Sequence, residues 1–120
     1  MKTTKGLLIA HNEMRSIDVG DHIDINTMVG GWFDAVRNDT MVGYVHDEGL
    51  LLGLPINPIA TALFGRIIAG PCVLVGSINE NGEYDGYNHD LTEADLLKVV
   101  YLADAYKMWA EAHLSHCETD

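Results

Sequence analysis

Apolar residues fall along this chain in short blocks whose period changes from one block to the next. "KGLLIAH" (5–11) is a compact apolar run and predicts a first strand. In "SIDVGDHIDI", Ile17, Val19, Ile23 and Ile25 alternate with polar residues, so a second strand is expected near 16–19. Asp24 is then placed to cap a helix through its carboxylate. Ile25, Met28, Val29, Trp32, Phe33 and Val36 would share one helical face, but Gly30-Gly31 interrupts it. Two adjacent glycines cost about 2 kcal/mol in a helix interior, and glycine is a preferred helix stop. The segment therefore divides into a short helix over 25–29 and a strand over 32–37.

Asn38-Asp39 supplies a tight turn, and "TMVGYVH" (40–46) returns as the hairpin partner. "DEG" (47–49) turns into "LLL" (50–52). Asn57 as N-cap, Pro58 in the first turn and Gly65 as stop mark a second short helix. "GPCVLVGSI" (70–78) is apolar almost throughout, as in a central strand covered on both faces. "NENGEYDGYNHD" (79–90) is rich in turn formers and is expected to be a polar loop. Thr92 and Asp95 approximate a capping box for a long helix to about 115. That helix carries apolar residues on more than one face, so it is expected to pack on two surfaces, one of them offered to a partner chain. The fold class is α+β: one domain over 1–120, with a mainly antiparallel sheet of about 4–6 strands, two short helices and a long C-terminal helix.

Charge narrows the choice of partner. Eighteen acidic and seven basic residues give a net charge of −11. Binding a phosphate backbone needs clustered Lys and Arg, so no direct contact with nucleic acid is expected. Solubility, docking to a basic host protein and mimicry of nucleic acid remain. No apolar run reaches the length of a membrane span. "MKTTKGLLIAHNE" lacks the core and cleavage site of a signal peptide, so a cytoplasmic location is expected. Cys72 lies in an apolar strand and Cys117 in the tail, which reads as two free thiols in a reducing compartment.

Three stretches carry a family resemblance. They are Val29, Gly30, Gly31, Trp32 and Asp34; then Asp47, Glu48, Gly49, Gly53, Leu54, Pro55 and Asn57; then Gly70, Val73, Val75 and Gly76. Together they resemble the DUF3846 family, small proteins of unknown function from bacteriophages and bacteria. The resemblance covers about 7–78 and leaves the long C-terminal helix outside. His46 stands where the family usually has Asn. The resemblance supplies no catalytic residue. It implies a small phage accessory protein acting in the host cell.

Motifs for chemistry are sparse. There is no G-x-S-x-G, P-loop or G-x-G-x-x-G. Cys72 sits in an apolar strand, where a thiol is inert. His113 and His116, followed by Cys117, have a spacing that could present metal ligands, but a solvated helix end is the plainer reading. "HDE" (46–48) serves either as an acid/base group or as a polar turn. No catalytic residue, metal or cofactor is assigned, and a metal-dependent hydrolase is the remote alternative to a non-enzymatic protein.

An anion site is the sharper possibility. Arg66 and Arg37 offer bidentate contacts to phosphate. The helix starting at Asn57 offers free N–H groups, and Trp32 and Tyr44 could stack on a base. The plainer reading puts Trp32 in the core, Tyr44 half-buried on a strand and the arginines against surplus carboxylates. Two functions follow from these features. One is a homo-oligomeric counter-defence protein that sequesters a nucleotide-derived immune signal. The other is an acidic protein-interaction inhibitor of the DNA-mimic, anti-restriction type.

Overall fold

The structure, a computed structural model, describes residues 3–10 and 13–118, with side chains through 112. β1 (Thr4–Ile9) and β2 (Met14–Val19) form a hairpin, and α1 (His22–Val29) leads to the hairpin of β3 (Phe33–Arg37) and β4 (Met41–His46). α2 (Pro58–Phe64), β5 (Cys72–Ile78), β6 (Tyr84–His89) and α3 (Glu93–Glu118) complete the order. The sheet runs β2-β1-β5-β4-β3, with every ladder antiparallel, and β6 joins the far end of β5. The expected α+β class and the long C-terminal helix are both observed.

β5 explains the layering. Cys72 through Ser77 are all buried, as its unbroken apolar run requires of a central strand. Leu74 pairs with Leu7 and Gly43 on one face, and that face packs Leu7, Ile9 and Met41 against Ile59 and Leu63 of α2 and Val99 of α3. Val73 and Val75 point the other way, where Leu8, Val19 and Val42 pack against Ile25 and Val29 of α1. Gly43 is needed in this sheet because a Cβ there would come within 2.7 Å of the Phe64 ring and 2.9 Å of Cys72 Sγ.

Helix punctuation follows the sequence closely, with one correction. The cap of α1 is Asp21 rather than Asp24: Asp21 Oδ1 accepts the Asp24 N–H at 3.1 Å. Asp24 returns the favour one turn in, accepting the Gly20 N–H at 2.9 Å. The arrangement is close to a capping box, with the return bond made to Gly20, one residue before the cap. Gly30 ends α1 at φ 86°, and Asn57 and Gly65 bracket α2 as expected. Thr92 and Asp95 exchange hydrogen bonds of 3.1 and 3.3 Å at the start of α3.

The second correction is β6. Residues 79–90 do not form a loop throughout; Asn79 to Glu83 make a tight turn and Tyr84–His89 pairs back onto β5 with a register shift between Gly76 and Ile78. Asn81-Gly82, with Gly82 at φ 79°, is the turn chemistry that announces a hairpin. The strand is polar because most of it is exposed. Among the described residues, no helix is long and apolar enough to cross a membrane.

Candidate functional site

A cleft of about 330 Å³ opens at one end of the sheet, between the turns at 47–51 and the segment at 66–69. Its floor is Val36, Val45 and Ile68, all buried in a small core with Ala60 and Cys72. The loops are held by backbone pairing. Leu54 N–H donates to the Gly49 carbonyl at 3.0 Å, Asn57 N–H to Ile68 at 2.8 Å and Gly70 N–H to Pro55 at 2.8 Å. Gly49 is not there for its backbone angles, since its φ is not positive. It is there because a Cβ would lie 2.3 Å from the Ala69 carbonyl oxygen.

The walls are charged. Asp34 from β3, Asp47 and Glu48 from the turn, and Arg66 after α2 line the opening, and all four are exposed. Arg66 makes no ion pair within 4 Å among the described residues. Three carboxylates therefore face one guanidinium that is already available to them through solvent, and the local field is negative. Around this opening stand Leu50, Leu51 and Ile67, all exposed, with Leu51 at 86%. Trp32 is close in the backbone, its carbonyl accepting the Asp47 N–H at 3.1 Å, and its side chain is 74% exposed. It is neither in the core nor stacked against another described ring.

His46 also lines the cleft but is committed inward. Its side chain is only 10% exposed, and Nδ1 accepts the Glu48 N–H at 3.0 Å. Asp47 Oδ1 lies 3.6 Å from the same nitrogen. The shorter contact decides the arrangement: an Nδ1 that accepts from Glu48 cannot donate to Asp47, so the ring proton belongs on Nε2. Nε2 in turn rests on Gly31, where a Cβ would come within 2.6 Å. His46 thus ties the first motif segment, at Gly31, to the second, at Glu48.

The other expected binding residues are spent on the fold. Asn57 is fully buried; its Nδ2 donates to the carbonyls of Ile9 at 2.8 Å and Gly70 at 3.0 Å, and its Oδ1 accepts the Ala60 N–H at 3.1 Å. With every polar group satisfied and no exposure, it has nothing to offer a ligand. Tyr44 lies on the opposite face of β4 from the cleft residue Val45. Its hydroxyl donates to Asn88 Oδ1 at 2.5 Å, and its ring meets Phe33 edge-on at 5.1 Å. Burial raises the Tyr44 phenol above its ordinary pKa, partly offset by the Asn88 contact. Arg37 lies over the Tyr84 ring at 3.5 Å. These residues fasten β6 to the sheet. Of the five expected site residues, only Arg66 lines the cleft.

Sequence reading missed Asp34 and the Leu50–Leu51 rim as site elements, and left Asp47 and Glu48 between a turn and an acid/base pair. The signal for the rim was present, because three consecutive leucines after a turn are hard to bury in a strand of that length. Among the described residues, no group of three or more His, Cys, Asp or Glu could hold a metal. His113, His116 and Cys117 fall outside the described side chains. Cys72 is completely buried, which pushes its thiol up to about 12.

No curated protein and no solved structure matches the chain. The match that exists is to a family model, a domain of unknown function spanning residues 4–101. It reaches past the three motif segments to include β6 and the first turns of α3, while the rest of that helix, beyond 101, lies outside the match. Its segments Gly31, Asp34 and Asp47–Gly49 meet around His46 and the cleft, and on the extent of that match the chain belongs to the DUF3846 family.

Proposed function

We propose that this protein is a non-enzymatic binding protein whose cleft end captures a basic, partly apolar segment of a partner protein. The carrying observation is the composition of the cleft: Asp34, Asp47 and Glu48 against Arg66, set within a rim of exposed Leu50, Leu51 and Ile67. An arginine or lysine entering the opening would meet carboxylates, while its apolar neighbours would cover the leucines. Rim charges mainly steer and orient partners, and buried apolar anchors carry affinity. The chain's net charge of −11 favours the same class of partner at long range. A catalytic reading has less to build on: no Ser, Thr, Cys or Lys lines the cleft, and His46 Nδ1 is taken up by the Glu48 N–H.

A nucleotide-sequestering counter-defence role is the second reading. It draws support from Arg66 at the cleft and the exposed Trp32, and it is weakened by the three surrounding carboxylates, which oppose a phosphate. One experiment separates the two. The purified protein is titrated with a panel of Arg/Leu-containing peptides and, in parallel, with cyclic and linear nucleotides, by calorimetry and thermal shift. Peptide binding that weakens with salt and falls at least about tenfold in the Asp47→Asn/Glu48→Gln variant supports the first reading. A nucleotide that raises Tm, with the gain lost in Arg66→Ala, replaces it with the second.

A further inference from the structure

α3 has a second apolar stripe that the domain does not use. Its inner side places Val99, Leu102, Ala103 and Tyr106 against the core. Half a turn away lie Ala94, Leu97, Tyr101, Ala105, Met108 and Ala112, spaced by three and four residues throughout, and all exposed. The large members are strongly so: Leu97 is 64%, Tyr101 72% and Met108 71% exposed. Exposed Val100 and Trp109, the latter stacked on Tyr106, flank the stripe. This surface is independent of the cleft.

We propose that two copies of this chain associate through the outer stripe of α3, packed antiparallel around Tyr101 and Ala105. Two observations select a second copy as the occupant. First, the area suffices. Five large side chains, each exposing roughly 100 Å² by the usual size of such groups, give about 500 Å² of apolar surface per copy. The alanines and the Lys98 stem extend it toward the roughly 800 Å² per partner of a standard interface. Second, the stripe is self-complementary. In an antiparallel register centred between 101 and 105, Leu97 falls opposite Trp109 and Ala94 opposite Ala112. Antiparallel pairing about the middle of the helix seats Tyr101 of each copy over Ala105 of the other, as a two-fold interface requires. Charge works against the pairing: each chain carries −11, and exposed Glu93, Asp104 and Glu111 lie three or four residues from Leu97, Tyr101 and Met108, so the dimer should tighten as salt rises.

The test is the solution mass of the full chain by sedimentation equilibrium. Twice 13.2 kDa is expected for the wild type, and 13.2 kDa for Tyr101→Glu/Met108→Glu. The substitution should raise the dimer dissociation constant by about thirtyfold or more, the scale of a hot-spot loss, with helical circular dichroism unchanged. Leu50→Glu/Leu51→Glu, at the cleft rim, should leave the dimer intact. A second measurement does not depend on that variant folding. In a Cys117→Ser background, a Tyr101→Cys chain mixed with an Ala105→Cys chain should cross-link under mild oxidation faster than either alone. A monomeric wild type at sub-millimolar concentration overturns the proposal. So does a dimer that survives the glutamates, a dimer lost on mutating the cleft rim, or cross-linking no faster in the mixture.

Discussion

Two regions of this protein place an arginine near aromatic or acidic side chains, and they differ in what those groups are bonded to. Around β6, Arg37 covers Tyr84 and Tyr44 bonds Asn88, so donors, acceptors and ring faces find partners within the chain. At the cleft, Arg66, Asp34, Asp47 and Glu48 stand exposed beside bare leucines. The residue types are alike; the difference is whether the fold satisfies them. A side chain whose bonds are complete is evidence for architecture. One left open on a rigid rim is where recognition can happen, and the rim here is rigid because Asn57 and Gly49 fix the loops from beneath.

The sharpest way to break the comparison is to remove that support. Asn57→Ala deletes three buried hydrogen bonds and orphans the carbonyls of Ile9 and Gly70 and the N–H of Ala60. Loss of a cap together with buried unsatisfied groups should cost about 3–5 kcal/mol, read as a lower urea midpoint. A loss below about 1 kcal/mol would return Asn57 to the list of candidate ligand residues. Gly49→Ala comes next. Its Cβ would press the Ala69 carbonyl, so the loops must separate, at a cost of about 1–3 kcal/mol. Peptide binding at the cleft should fall with it.

Arg37→Ala and Arg66→Ala then test the two regions against each other. Removing Arg37 loses a partly exposed cation–π contact and should cost about 0.5–1 kcal/mol. Removing Arg66 should leave stability within about 0.5 kcal/mol, as for a surface change that breaks no contact. Equal losses in urea denaturation would erase the distinction.

The sequence made the architecture legible where local chemistry decides it. Asn57-Pro58 and Gly65 set the ends of α2, Gly30 the end of α1, and Thr92 and Asp95 the start of α3, because caps are short-range bonds. The apolar run at 72–77 named the central strand. β6 was illegible by hydropathy, since an exposed polar strand looks like a loop unless the Asn81-Gly82 turn is weighted. The site was least legible. Which face Tyr44 takes, and whether Asn57 is buried, depend on the pairing of β4 with β5 and on the long-range contact of Asn57 with Ile9. Arg66 was legible because it directly follows the helix stop Gly65. Arg37 was misplaced because its partner, Tyr84, lies 47 positions further along, in the strand that sequence reading treated as loop.

The smallest expected effect lies in the closed region and depends on pH. The hydrogen bond from His89, at 2.8 Å, is the main cause holding the Asp85 carboxyl below its ordinary value of 3.8, with the Tyr87 N–H adding to it. A carboxyl whose pKa is lower folded than unfolded favours the folded state when ionised. Its contribution is therefore complete above about pH 3.8 and fades as the pH falls below that value toward the folded pKa. Asp85 is solvent-exposed in its charge environment, so the effect should be local: faster amide exchange in β6 below pH 3.8, with the exchange of β5 little changed. Asp85→Asn should flatten that acid limb. If β5 opened together with β6 over the same range, the β6 attachment would belong to the core of the fold, and the contrast between a separately fastened strand and the cleft end would have to be redrawn around a single cooperative unit.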